Sequence, residues 1–257
     1  MIKRLLLSVL AAIPFALGLQ SCGGGAPEPQ GKGIFTAIAN HRIGFAPLVL
    51  NSSFAYENSA GNLFKVSEFR YYLSEVKLHK KGGGVYQHPM SPETGAGYFL
   101  VEESDPESKL IVLRDVPAGE YTAISFKVGI EPGTVNPETA QGVLAKTRDM
   151  YSPEDGYYSL FLEGMAYDSS EDDQRLAMRT GGQVYEARVD FAAETAIVEP
   201  ELETVMEYNA DLGELFDLST PTDFSDTPLL LNIEANQAAA RQFAQQGFGF
   251  DHVHNNP

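Results

Sequence analysis

The sequence predicts an all-β chain, an antiparallel β-sandwich closed by a short C-terminal helix. Three observations carry that expectation. Most segments between residues 34 and 233 alternate apolar and polar side chains with period two. Gly and Pro punctuate the intervals between them. No strand–helix–strand rhythm appears, which disfavours a doubly wound parallel sheet.

The elements follow in order. Residues 34–41 read as a first strand and 47–50 as a second. Residues 69–78 alternate large apolar residues with polar ones. Strands at 110–113 and 121–128 are joined by a turn at Val116, Pro117, Ala118 and Gly119. Further strands are expected at 157–162, 184–191 and 205–212. Residues 136–146 fit one short helix. Residues 236–246 are Ala-rich, lack β-branched side chains and stop at Gly247, which predicts a terminal helix. No internal repeat and no composition break divides the chain after residue 33, so residues 34–257 read as one domain.

The first 33 residues stand apart. Lys3 and Arg4 precede an apolar run from Leu5 to Leu19, which is followed by Gln20, Ser21 and Cys22. A basic start, a short apolar run and a small-residue site describe a secretory signal, here residues 1–21. The run is too short for a comfortable membrane span. It ends at the chain's one cysteine, as a bacterial lipobox does, so Cys22 is expected to be lipidated and to anchor the protein in a membrane. The plainer alternative is an ordinary signal with a free thiol. Residues 22–33, rich in Gly and Pro, read as a tether. With no acidic residue directly after Cys22, the expected address is the outer membrane of a Gram-negative cell envelope, on its periplasmic face.

Composition excludes several function classes. There are 18 Lys and Arg against 35 Asp and Glu, a net charge of −17. Nucleic acid is therefore not an expected partner, because phosphate binding requires a basic surface. Removal of residues 1–21 takes away Lys3 and Arg4 and no acid, leaving 16 against 35, or −19. Such a field attracts cations. One Cys rules out a disulfide framework or a Cys-rich cluster. No nucleophile elbow, metalloprotease helix or phosphate loop is present, and the chain is not expected to be an enzyme.

Metal-binding side chains are few. The five histidines are His41, His79, His88, His252 and His254. Imidazole suits Cu(II) and thioether suits Cu(I). In an extended segment His252 and His254 share one face about 6–7 Å apart and can clamp one ion. The competing reading is a polar, frayed C-terminus. His41, taken alone, reads as a surface histidine, and it meets the tail only if the chain ends are adjacent. His88 and Met90 flank Pro89 in a loop and form a second-tier pair, with an ordinary loop as the plainer reading. His79, among Lys77, Lys80 and Lys81, reads as solvated. Asp168, Glu171, Asp172 and Asp173 offer oxygen ligands to calcium, against a simply solvated acidic loop. Tyr71–Tyr72 and Tyr157–Tyr158 place one ring on each face of their strands. Half of them are then free to stack on a sugar.

Several stretches, in order, resemble one family. Residues 64–78, FKVSEFRYYLSEVKL, are the most distinctive, followed by 97–101, 119–129, 149–164 and the tail from Phe250 to His254. Together they resemble the MbnP-like family, periplasmic relatives of a methanobactin-associated copper-binding protein. The resemblance implies a β-sandwich and a role in handling metal, with copper first. Two positions depart from the family pattern: Ser152 stands where members often carry Trp, and Arg179 stands near an expected His. The functional expectation is a lipid-anchored metal-binding protein with His41, His252 and His254 as leading ligands. The alternative is a metal-free envelope module that recognises a glycan or a partner protein.

Overall fold

The computed structural model describes residues 30–167, 174–225 and 233–255. Cys22, the signal segment and the proposed calcium loop at 168–173 lie outside the described residues.

Among the described residues fifteen strands build two sheets. In chain order they are β1 (Lys32–Ile43), β2 (Ala46–Pro47), β3 (Tyr56–Glu57), β4 (Leu63–Lys80), β5 (Val85–Gln87), β6 (Phe99–Glu102), β7 (Leu110–Pro117) and β8 (Gly119–Val128). There follow β9 (Tyr151–Ser152), β10 (Gly156–Ala166), β11 (Arg175–Gly181), β12 (Tyr185–Asp190), β13 (Ala196–Val198), β14 (Glu203–Asp211) and β15 (Phe248–Asn255). The smaller sheet runs β15-β14-β1-β2, with β7 also paired to β1. The larger runs β11-β10-β4-β8-β12 and carries the remaining short strands at its margins. The inner faces of both sheets enclose one apolar core. Ala118 forms the corner where the chain leaves β7 in one sheet and enters β8 in the other.

The antiparallel sandwich is as expected, with one exception: β1 and β14 are parallel, from Ile34 opposite Glu203 to Arg42 opposite Asp211. Parallel partners need a long crossover, and here it is the rest of the domain.

β4 shows how the distinctive segment works. Phe64 and Val66 point into the core, then Phe69, Tyr71 and Leu73, then Val76 and Leu78. Strict alternation cannot do this, because the inward positions change parity twice. Each change coincides with a break in pairing: one falls between Val66 and Glu68 against β10, the other between Ser74 and Lys77 against β8. At the second, Glu75 takes a positive φ of 48°. Two bulges thus return a long, twisting strand to the same core. Gly164 faces the first bulge, where a Cβ would collide with the Lys65 carbonyl oxygen.

The outer face of the larger sheet is also covered. Tyr72, Tyr157, Tyr158 and Phe161 pack with Ile130, Leu144 and Met150 in a second core. Tyr72 donates to the Val143 carbonyl and Tyr157 to that of Leu144, both at 2.7 Å. The expectation of exposed stacking tyrosines is therefore corrected: the segment between β8 and β9 lies over them. That segment is also not the helix expected at 136–146. It holds turns and two short 3-10 turns, Gly142–Leu144 and Lys146–Arg148.

The terminal helix is present as α1 (Ile233–Gln242), followed by a wider turn, Phe243–Gly247. Ala239, Ala240, Phe243 and Ala244 are buried, so the Ala-rich face is the one that packs. The chain then continues into β15, an ordered edge strand rather than a frayed tail. Its free edge is partly capped: Glu194 accepts from the Val253 N–H, and Asn255 bonds the backbone at Thr195 and Ile197.

Candidate metal centre

Glu207, His252 and His254 converge on the outer face of the smaller sheet. Each offers one ligand atom, and the three atoms lie within 4.8 Å of one another. Their placement follows from the strands. β14 alternates, burying Thr204, Met206, Tyr208 and Ala210 and turning Glu203, Val205, Glu207 and Asn209 outward. Across the ladder Glu207 pairs with His252, and Val205 with His254.

A bulge sets the face. Phe248 packs on Tyr208, and Phe250 packs on Phe191, both inside. Period two alone would turn His252 and His254 inward behind them. The pairing breaks between Glu207 and Tyr208, leaving Asp251 as the extra residue. Val253 then faces the core, and both histidines face out.

The local geometry is ordered. Glu207 Oε1 lies 3.4 Å from His252 Nε2 and 3.9 Å from His254 Nε2. The two Nε2 atoms are 2.6 Å apart, so one imidazole N–H donates to the other ring's lone pair. Asn40 Nδ2 donates to Glu207 Oε2 at 2.9 Å, which leaves Oε1 turned toward the imidazoles. Asp251 Oδ2 lies 3.3 Å from His252 Nδ1 and favours the tautomer whose Nε2 carries the lone pair. Such outer partners orient ligands before an ion arrives.

His41 is elsewhere. It belongs to the inward set of β1, and its side chain is fully buried, not at the surface. Nδ1 lies 2.7 Å from Glu103 Oε2, and Nε2 lies 3.0 Å from the Tyr71 hydroxyl. Burial pushes the imidazole below its ordinary range, more than the neighbouring carboxylate raises it. The ring is therefore neutral: Nδ1–H donates to Glu103, and Nε2 accepts from Tyr71. For Glu103, burial works to raise the carboxyl, but hydrogen bonds from His41 and Lys109 outweigh it and hold it below the usual range. Lys109, 2.9 Å away, balances the charge. Both nitrogens of His41 are engaged, on the opposite face of the sheet from the tail pair.

The second-tier pair is not brought together either. The His88 ring lies beside Tyr86 and Phe99. The Met90 sulfur accepts the Glu75 N–H at 3.1 Å. His79, expected to be solvated, is half-buried and bonds the Ser125 hydroxyl at 2.7 Å.

The two departures from the family pattern have local partners. Arg179 donates to Glu163 at 2.6 Å, and its guanidinium sits 4.6 Å from the centre of the Phe161 ring. Arg70 approaches the same ring at 4.5 Å from the neighbouring strand on the other side. The Ser152 hydroxyl bonds Asp155 in the β9–β10 turn.

Sequence reasoning missed Glu207 and Asn40. Alternation along 205–212 marks Glu207 as outward, but only the register names the residue it faces.

A model of the MbnP family matches residues 36–236. Among solved structures, MbnP from Methylosinus trichosporium aligns with a TM-score of 0.51 at 14% identity, over 86% of this chain and 97% of that one. At that identity the likeness is one of fold. No curated protein matches the chain.

Proposed function

The chain belongs to the MbnP family, and from that premise we propose that it is an extracytoplasmic metal-handling protein, anchored through a lipid on Cys22. It binds an ion, copper first, at Glu207, His252 and His254, and serves as a binder rather than a catalyst. One observation carries the reading: two imidazole Nε2 atoms and a carboxylate oxygen meet at one accessible point, each imposed by strand register. β15 lies beyond the family-matched residues, so the site rests on this chain's own geometry. The ligand types suit a first-row transition metal. The acidic composition raises the local concentration of cations. Among the described residues no helix is long and apolar enough to cross a membrane, which fits attachment by a lipid through a tether.

Two measurements test this. Metal analysis of the purified protein, after loading with copper and desalting, should give close to one ion per chain and far less for the His252→Ala/His254→Ala variant. Equal metal content would remove the tail from the function. Cys22→Ser should abolish lipid labelling and move the protein to the soluble fraction. Persistent labelling would place the modification elsewhere.

A further inference from the structure

We propose that the tail site takes its ion in the divalent state, Cu(II) ahead of Zn(II), and discriminates against Cu(I). This deepens the metal-binding reading and rests on it.

The first argument is the bite of the two imidazoles. Metal–nitrogen bonds are about 2.0–2.1 Å. Two such bonds at a right angle put the nitrogens about 2.9 Å apart, a tetrahedral angle about 3.3 Å, and a straight line about 4.1 Å. The observed separation is 2.6 Å. Small side-chain rotations of two partly exposed rings reach the first two values. The linear arrangement that satisfies Cu(I) with two imidazoles alone requires the rings to part by about 1.5 Å. Opening that far works against the Asp251 contact on His252 and displaces both rings from Glu207.

The donor set is the second argument. Two neutral nitrogens and a carboxylate form a borderline-to-hard site, suited to Cu(II) and Zn(II), whereas Cu(I) prefers thiolate and thioether. Among the described residues no sulfur reaches the site. Met206, next to Glu207 in β14, points into the core and is fully buried, and Met90 is held at Glu75. For any N/O site, Cu(II) stands above Zn(II) in the divalent series.

Charge is the third. Glu207 carries an anion into the site, and Asp251 stands behind His252. A divalent ion gains twice the Coulomb attraction of a monovalent one at the same distance. With three protein donors on an exposed sheet face, the remaining positions stay open to water or to an incoming ligand, which permits exchange.

The test is a pair of titrations on the full-length protein in detergent. Cu(II) is added in one, with Zn(II) as competitor. Cu(I) is added in the other without oxygen, buffered by a bicinchoninate-type chelator. Wild type is compared with His252→Ala/His254→Ala and with Glu207→Gln. The double variant should bind Cu(II) at least 100-fold more weakly, and Glu207→Gln about 10-fold more weakly. Cu(I) binding should be the same in all three proteins. The Cu(II) complex should show a tetragonal electron paramagnetic resonance spectrum with coupling to two nitrogens. If Cu(I) affinity falls with the histidines as much as Cu(II) affinity does, the divalent preference is wrong while the metal site stands. If neither ion responds to the histidines, the metal site itself is wrong. Unchanged circular dichroism and melting of the variants without metal establish that ligands, not folding, were lost.

Discussion

Asn40 holds one oxygen of Glu207 at 2.9 Å, and thereby aims the other at the paired imidazoles of His252 and His254. Asn40 on β1 lies opposite Asn209 and reaches diagonally to Glu207 on β14, within the parallel pair at the centre of the smaller sheet, while the histidines lie on its edge.

Asn40 touches no ion directly, yet its removal should matter. Asn40→Ala frees the carboxylate to rotate and should weaken Cu(II) binding by about 10-fold, since outer partners of metal ligands are worth about 10–100-fold. Calorimetric titration checks this. Asn40→Asp should be worse, because a second carboxylate repels the first.

Deleting Asp251 tests the bulge. Without the extra residue, Phe250, His252, Val253 and His254 alternate with period two, Phe250 and Val253 inward and both histidines outward, so the register opposite Glu207 needs no bulge. The variant should fold and keep both histidines on the outer face, losing only the Asp251 carboxylate beside His252. Calorimetric titration should therefore find copper binding largely retained; its abolition would show that the bulge itself shapes the site. Asp251→Ala keeps the bulge and the fold, and should reduce copper affinity only modestly.

His41 should matter for stability instead. His41→Ala strands the Tyr71 hydroxyl and Glu103 and leaves a cavity, at a cost of about 3 kcal/mol by denaturant titration. Copper binding at the tail should be unchanged.

The same residue shapes the response to acid. Its folded value lies below its unfolded one, because burial disfavours the imidazolium. Above about pH 6.5 both states are neutral there and nothing is lost. Below it the unfolded chain takes up a proton that the folded chain refuses, so stability falls, by at most about 1.4 kcal/mol per pH unit. Glu103, held low, adds its own loss at more acidic pH, below about 4.5. His41→Gln should flatten the first part of this decline and leave the second. Denaturation midpoints from pH 7.5 to 4 measure both.

Gly164→Ala should be among the more damaging single-methyl changes. The added carbon meets the Lys65 carbonyl at the first bulge of β4, and backbone cannot step aside cheaply. A loss of about 2–3 kcal/mol is expected. Gly249→Ala is the control, since nothing lies within 4 Å of its would-be Cβ.

The sequence made the strands, the terminal helix and the family pattern legible, because each is written in local periodicity or order. It made the His252–His254 pair legible for the same reason: a spacing of two suffices. What it hid was register. Nothing near Glu207 announces His252 as its partner 45 positions away, and nothing near Asp251 announces a bulge. His41 was misplaced on the surface because its partners, Tyr71 and Glu103, come from β4 and from the end of β6. The tyrosine pairs misled in the same way. Alternation shows that one ring faces out of the sheet, and only the packed structure shows the segment lying over it.

The parallel pairing of β1 with β14 has a kinetic consequence. Thr36 bonds Glu203, 167 positions further along. A chain emerging from the ribosome or an export channel carries β1 with one edge bare until most of the domain has followed. Non-local closure of this kind is slow, and an open edge invites pairing with another copy of itself. Aggregation during secretion, rather than unfolding afterwards, is then the hazard this topology creates, and it falls on the interval before the last fifth of the polypeptide arrives.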